Sequence, residues 1–189
     1  MNDFKFITDN IGYNIIEKFR GKTIFITGSN GFLGRWFSDT FRYINENMLD
    51  GSCNVICVDN NIVRKEKREK SFVVDICKDI DFEKLGIEKI DFIINCAGIA
   101  SPKIYKNYPI ETLDVSYLGT KNILELGKLF DVESILCFSS SEVYGTPDIN
   151  NIPTTEKYIG TIPTMSDRSS YDIGKKVLET LCHVHYEEY

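Results

Sequence analysis

No Cys-x-x-Cys pair occurs among the six cysteines of this 189-residue sequence, and only two histidines accompany them. A zinc site needs closer Cys/His clustering, so no metal is expected. Cys53, Cys57, Cys77, Cys96, Cys137 and Cys182 read instead as free thiols, several within apolar strand-like runs, of a protein in a reducing cytoplasm. His183 and His185 stand two apart on a helix-like stretch and face different directions there. A basic excess is also missing: 22 Lys and Arg oppose 28 Asp and Glu, a net charge of −6. That balance excludes a typical nucleic-acid binder. No apolar run approaches the ~20 residues that span a bilayer. The start, Met1 to Lys5, lacks the basic and long apolar stretches of a signal peptide. Internal repeats and low-complexity tracts are absent, and Arg64 to Lys70 reads as a solvated charged loop. What remains is an ordinary globular mixture, 42% hydrophobic and 12% aromatic, with length for one domain and a sizeable core.

The pattern alternates strand and helix. Ile11, Ile15 and Phe19 stand at helical spacing, so an amphipathic helix is expected over 10–19. Residues 1–20 form an N-terminal helical extension, whose Phe4, Phe6 and Ile7 are expected to cover the domain. Strands are expected over Lys22–Thr27, Asn54–Val58, Ser71–Val74, Ile90–Cys96 and Glu133–Phe138. Helices are expected from Leu33 to Asn45, with Trp36 packing, from Pro109 to Phe130, and from Ser169 to Tyr186. Apolar strands alternating with helices imply an α/β, Rossmann-type, doubly wound parallel sheet with helices on both faces, over residues 21–189. Ligands of such sheets sit beyond the carboxyl ends of the strands. Gly28, Asp59, Asp75, Ala97 and Ser139 all fall at that edge.

The first strand runs into Thr27-Gly28-Ser29-Asn30-Gly31-Phe32-Leu33-Gly34. Gly28 suits a sharp turn, Gly31 close approach of backbone to a pyrophosphate, and Gly34 tight packing of helix on strand. The helix start offers free N–H groups and a positive dipole to phosphates. A strand before and a helix after give this glycine pattern its required context. Asp59, followed by Asn60, ends the second strand, where a carboxylate accepts from ribose hydroxyls and repels a 2′-phosphate. NAD is therefore expected over NADP, although Arg64 and Lys65 weaken the preference. Asp75 and Ile76 stand where they reach an adenine, or where Asp75 caps a helix. Ala97 and Gly98 complete the expected cofactor edge.

Tyr171 and Lys175 are four apart, on one face of the last helix. An ammonium beside a phenol stabilises phenolate, which suits a general base acting on an alcohol. Ser139-Ser140-Ser141-Glu142-Val143-Tyr144-Gly145 follows the fifth strand, offering a hydroxyl to a reacting oxygen and a carboxylate for a second proton. Either piece alone is an ordinary accident of sequence. In order behind a glycine loop and Asp59, they read as a catalytic set.

From Gly21 onward the chain resembles the extended short-chain dehydrogenase/reductases of the NAD-dependent epimerase/dehydratase type. The likeness rests on Thr27–Gly34, Ala100-Ser101-Pro102, Pro109-Ile110, Gly119-Thr120-Lys121-Asn122, Ser141–Gly145, and Arg168 through Tyr171 to Thr180. Within that family the same stretches are similar to those of the UDP-glucuronate decarboxylases. It implies a nucleotide-sugar substrate and an opening oxidation at the sugar C4, with Tyr171 taking the hydroxyl proton and NAD⁺ the hydride. Lys175 would hold the nicotinamide ribose, Ser140 would occupy the family's Ser/Thr position, and Glu142 would move a second proton. Decarboxylation, 4,6-dehydration and epimerisation all share that opening. A non-catalytic NAD-binding module and an ordinary alcohol/ketone reductase are the other readings. Ser116 stands where the family has asparagine, which puts that residue's water and proton relay in doubt. Family members continue into a substrate-gripping C-terminal domain beyond the counterpart of Tyr189, so weak turnover is expected of this stretch alone. The resemblance also implies a homodimer through helices 109–130 and 169–186.

Overall fold

The computed structural model describes residues 3–61 and 71–189. Arg64, Lys65 and the rest of the charged run to Lys70 lie outside the described residues. Five strands form one parallel sheet: β1 (Thr23–Thr27), β2 (Asn54–Asp59), β3 (Ser71–Val73), β4 (Phe92–Asn95) and β5 (Ser134–Cys137). Their order is β3-β2-β1-β4-β5, so the chain reverses its direction of travel across the sheet beside β1. This is the doubly wound arrangement that the alternation implies.

β1 is the hydrophobic centre, with all five residues buried. Side chains alternate across a strand. Phe25 accordingly joins Ile56, Val58, Ile93 and Ile123 in one core, while Ile24 and Ile26 join Phe41, Ile44 and Ile94 in the other. The edge strands are less apolar in their surroundings than a continuous hydrophobic run suggests. Val73 of β3 and Leu136 of β5 are half exposed, because each edge strand has one neighbour only among the described residues. Thr27 pairs in register with both Val58 and Asn95. Gly28, Asp59 and Cys96 therefore emerge side by side at one edge.

The helices are α1 (Asp3–Ile11), α2 (Tyr13–Ile16), α3 (Phe32–Asn47), α4 (Phe82–Leu85), α5 (Pro102–Tyr105), α6 (Pro109–Asp114), α7 (Thr120–Leu129) and α8 (Ser169–Glu188). The expected helix over 10–19 is corrected in two ways. Helix begins at Asp3, and Gly12, at φ 85°, breaks it. The break rotates the following turn, so Ile16 is fully buried while Ile15 is half exposed. Phe6 is exposed as well, whereas Phe4 packs its ring against Trp36, 5.7 Å between centroids.

The expected helix over 109–130 is not uniform. A π-helical turn, Val115–Gly119, separates α6 from α7. A π turn adds a residue and shifts the face of the helix that follows. Here it presses Gly119 onto Ile76, where an added Cβ would lie 2.8 Å from the isoleucine Cδ1. It also sets Ser116 against Gly174 of α8, 2.9 Å from that glycine's added Cβ.

Asp91 immediately precedes β4 and is buried. Its carboxylate accepts from Thr23 N at 2.8 Å and pairs with Lys89 at 2.8 Å and Lys22 at 3.4 Å. Burial alone pushes this carboxyl up; the Lys89 contact, the Thr23 amide and Lys22 together outweigh burial and leave it below its ordinary value. A lowered folded value means the stabilisation is present above the unfolded carboxyl's titration, near pH ~4, and is lost as pH falls through the folded value. Asp91→Ala is expected to destabilise by about 2–4 kcal/mol at pH 7. The gap to the parent should shrink in melts below pH ~4; a pH-independent gap would contradict this account.

Candidate active site

A cleft of about 360 Å³ lies along the carboxyl edge of the sheet. Gly28, Asn30, Gly31, Asp59, Asn60, Asp75, Ile76, Ala97 and Gly98 line it, nine of the residues the sequence singles out for a cofactor. Gly28 has φ 58°, and an added Cβ would lie 2.6 Å from the Cys96 carbonyl oxygen. The loop therefore sits directly on the end of β4. Gly34 is buried, and its added Cβ would meet Ser29 Cα at 2.7 Å. Helix α3 starts after Gly31 with no side-chain cap, leaving its first amides for a ligand. Phe32 and Leu33, which the sequence also singles out, do not line the cleft, and Phe32 is exposed beside Phe4, Arg35 and Trp36.

Asp59 closes the turn from both sides. One carboxylate oxygen accepts from Asn30 N at 3.0 Å and the other from Asn61 N at 2.8 Å. Asn30 Nδ2 donates to Asn61 Oδ1 at 2.6 Å, which ties the glycine loop to the end of β2. Asp75 accepts from Cys77 N at 3.1 Å, a turn-forming bond, and still lines the cleft. Ile76 is buried under Gly119, and its carbonyl accepts from Asn122 Nδ2 at 2.8 Å. An uncapped helix start, a glycine cradle without room for side chains and a carboxylate at the end of β2 fit a dinucleotide.

The four residues that the sequence singles out for proton transfer are not among those lining the cleft: Tyr171 and Lys175 stand on α8, Ser140 and Glu142 in the turn after β5. Lys175 is buried and donates to the Phe138 carbonyl at 2.6 Å. Its ammonium would lie 3.8 Å from a Cβ added at Gly98. Burial lowers the Lys175 pKa, partly countered by the thiols of Cys137 and Cys96. The Tyr171 ring stacks on buried Tyr105, 5.2 Å between centroids and 10° from parallel. Lys175 Nζ stands 5.9 Å from the Tyr171 ring centre. Ser140 caps the 3₁₀ turn Ser141–Tyr144, its hydroxyl accepting from Glu142 N at 3.3 Å. Glu142 is ion-paired with Arg168, which also reaches Asp172 at 3.5 Å. Burial raises the Asp172 pKa, and the Arg168 charge offsets only part of that. Ser116 donates to the Thr112 carbonyl at 2.9 Å.

Sequence reasoning missed Arg168 as the partner of Glu142, although its i, i+4 spacing to Asp172 was there to read. It missed Ile99 and Ser101 in the cleft, which the strand-end rule covers because they follow β4. Tyr105, Lys78 and Leu118 carry no comparable local signal.

The family model for the NAD dependent epimerase/dehydratase family matches residues 24–189. The chain belongs to that family. NAD is the family's cofactor, and the Rossmann cradle just described is where this epimerase/dehydratase chain would hold it. UDP-glucuronic acid decarboxylase 1 of Xenopus tropicalis is 34% identical over 171 residues, covering 88% of this chain and 38% of that protein. UDP-glucuronic acid decarboxylase 6 of Arabidopsis thaliana is 33% identical over 88% of this chain and 47% of its own length. The chain thus spans less than half the length of these relatives. An epimerase from Methanothermobacter thermautotrophicus shares the fold at TM-score 0.73 and 22% identity, over 91% of this chain and 49% of that one. Among the described residues no helix is long and apolar enough to cross a membrane.

Proposed function

We propose that this chain is the cofactor-binding and proton-transfer part of an NAD-dependent nucleotide-sugar enzyme acting on UDP-glucuronate. What supports the reading is Lys175, beside Gly98 of the cleft and 5.9 Å from the Tyr171 ring centre, in a chain 34% identical to a UDP-glucuronic acid decarboxylase. NAD, when bound, would accept two electrons from the sugar C4 and return them to the C4 ketone after CO₂ has left, so that the overall reaction is redox-neutral. Tyr171 takes the proton of the C4 hydroxyl, and Lys175 holds the charge that this leaves nearby. Ser140 steadies the same oxygen by a hydrogen bond. The 4-keto sugar is then a β-keto acid, whose C6 carboxylate leaves as CO₂ without a further nucleophile. Glu142, released from Arg168, moves the proton at the neighbouring carbon. In this reading the NAD-binding domain spans 21–189, with 1–20 as an N-terminal helical extension.

The test is UDP-glucuronate turnover followed by NMR. A UDP-pentose with stoichiometric CO₂ supports the reading. A hexose epimer or a 4-keto-6-deoxy product from other UDP-hexoses, with no CO₂ from UDP-glucuronate, replaces it by the epimerase or dehydratase reading. Ser116 favours a second reading, a non-catalytic NAD-binding module, because its hydroxyl is turned back onto Thr112. NAD binding without turnover on any of these sugars would select it.

Asp59 sets the cofactor preference in this proposal. Removing its charge with Asp59→Asn is expected to narrow the NAD-over-NADP affinity ratio by about tenfold, or ~1.4 kcal/mol. Titrating both nucleotides measures it, and an unchanged ratio removes Asp59 from that role. The proposal extends to a second copy packed along helices 109–130 and 169–186, supported by exposed Ile110, Leu113 and Tyr117 at spacings of three and four. Light scattering on Ile110→Glu should then report a monomer where the parent is a dimer.

A further inference from the structure

Neither Tyr171 nor Lys175 lines the cofactor cleft, yet one short segment of its wall meets both. The segment runs from Gly98 to Tyr105, out of β4 and through α5. At its start Gly98 stands beside Lys175, whose ammonium would lie 3.8 Å from a Cβ added there. Ile99, Ala100, Ser101 and Ile104 then line the cleft. At its end Tyr105 is buried and stacks on Tyr171, 5.2 Å between ring centres and 10° from parallel. Successive side chains of a helix point about 100° apart. One turn therefore turns Ile104 to the cleft and Tyr105 to α8.

We propose that Tyr105 is the positioning residue of Tyr171, and that α5 carries occupancy of the cofactor cleft to the phenol. The proposal rests on the reading of Tyr171 as the group that takes the C4 proton. The turn is tied internally: Ile104 N and Tyr105 N both donate to the Ser101 carbonyl, at 2.8 and 2.9 Å, and Tyr108 N donates to the Ile104 carbonyl at 3.0 Å. A displacement of Ser101 or Ile104 from the cleft side thus reaches Tyr105 through hydrogen-bonded backbone. Tyr105 and Tyr171 are both buried, and in a close-packed interior neither ring shifts without the other. Their near-parallel geometry is one that aromatic pairs prefer, and it fixes the plane of the phenol. The neighbouring tie from this segment to the approach of α8, Lys106 to Asp167 at 3.4 Å, is exposed and adds little.

A filled and an empty cleft then differ in where the Tyr171 hydroxyl points. The phenol is aligned when the cleft wall is loaded, which keeps the proton step to the cofactor-bound protein. Replacing the flat ring of Tyr105 by a branched aliphatic side chain leaves the Tyr171 hydroxyl chemically intact but frees its ring to tilt. A misplacement of about 1 Å at a reacting group costs up to about 100-fold in rate. Tyr105→Leu is therefore expected to lower kcat by about 10- to 100-fold with NAD affinity within roughly threefold of the parent, because Tyr105 itself does not line the cleft. Tyr105→Phe keeps the ring and restores kcat. A residue that served stability alone would not split kcat from cofactor affinity in this way.

The deciding test reads the ring itself and needs no sugar. The native chain, with isotope-labelled tyrosine rings, is titrated with ADP-ribose and followed by NMR, and calorimetry measures binding on the same samples. ADP-ribose enters a dinucleotide cleft but carries no nicotinamide to touch Tyr171, so a response there has to travel through the protein. The Tyr171 signal is assigned by its loss in Tyr171→Phe. It is expected to shift on saturation in the parent and in Tyr105→Phe, and to stay in place in Tyr105→Leu, with all three binding within roughly threefold of one another. A Tyr171 signal that does not move in the saturated parent overturns the proposal, and a poorly folded variant cannot mask that result. An equal shift in Tyr105→Leu overturns it as well. The two readings fail separately: a responding ring without UDP-glucuronate turnover removes the proposed reaction and keeps the coupling, and turnover with an unresponsive ring does the reverse.

Discussion

Tyr171→Phe is expected to lower UDP-glucuronate turnover by about 10²–10⁴-fold while NAD affinity and melting temperature stay near those of the parent. The separation follows from how the side chain is held. Tyr171 is buried, and its position comes from a near-parallel stack on Tyr105. Phenylalanine keeps that ring and that stack. Lys175 keeps its hydrogen bond to the Phe138 carbonyl, because it does not depend on the phenol. Only the hydroxyl is lost, and with it the group proposed to take the C4 proton. The measurement is kcat beside an NAD titration on the same preparation. A kcat within roughly threefold of the parent removes Tyr171 from the proton step. Equal losses in kcat and in NAD affinity would mean that the phenol holds cofactor rather than proton. Glu142 provides the internal contrast. Its carboxylate is already ion-paired with Arg168, so its participation requires that pair to open, whereas Tyr171 needs no rearrangement of an ion pair.

The parts of this architecture written in short-range pattern were legible in the sequence. β1 is an Ile-Phe-Ile run between two threonines, bounded by Lys22 and Gly28, and all five residues are buried, which is what makes such a run informative. Glycine spacing after it, Asp59 at the end of β2, and the Tyr171–Lys175 pair each depend on one local geometry, so each could be placed before the fold was known. The misses share the opposite property. The π turn at Val115–Gly119 has no local signature; it arises because Gly119 fits under Ile76 and Ser116 under Gly174, contacts across long stretches of sequence. The shift from Ile15 to Ile16 as the buried residue depends on Gly12 taking φ 85°. That break was readable in principle, since glycine interrupts a helix at a cost, but the apolar spacing of Ile11, Ile15 and Phe19 runs straight through it. The Glu142–Arg168 pair joins residues on either side of a segment with three prolines. Their meeting is a property of the tertiary fold alone. Asp59 shows a partial success. Its place was legible, but its two bonds to the Asn30 and Asn61 amides were not, and these make it a brace for the glycine loop as well as a candidate ribose acceptor.

Gly34→Ala is expected to lower the melting temperature by roughly 5–12 °C and to abolish measurable NAD binding. An added Cβ would stand 2.7 Å from Ser29 Cα and 2.8 Å from the Gly28 carbonyl carbon. Both are backbone atoms, so no side chain can rotate out of the way, and the start of α3 must lift from the loop. Overpacking of this kind costs about 1–3 kcal/mol and more where backbone has to move; each kcal/mol is worth about 2–4 °C in a chain of this size. The same lift carries the uncapped amides of α3 away from the cleft. Two companions separate the causes. Gly51→Ala meets nothing within 4 Å but must hold φ 74°, so its expected cost, about 1 kcal/mol, is conformational alone. Gly31→Ala places its Cβ 3.1 Å from the Gly28 carbonyl oxygen, a tight contact with a single atom, at a residue lining the cleft. It should therefore melt closer to the parent than Gly34→Ala yet bind NAD poorly, because the lost space is the approach to the pyrophosphate rather than the seat of the helix. If Gly34→Ala melts within about 2 °C of the parent, the helix is not seated by that contact. If Gly31→Ala binds NAD normally, the phosphates do not lie against this loop, and the cofactor assignment of the cleft fails with it.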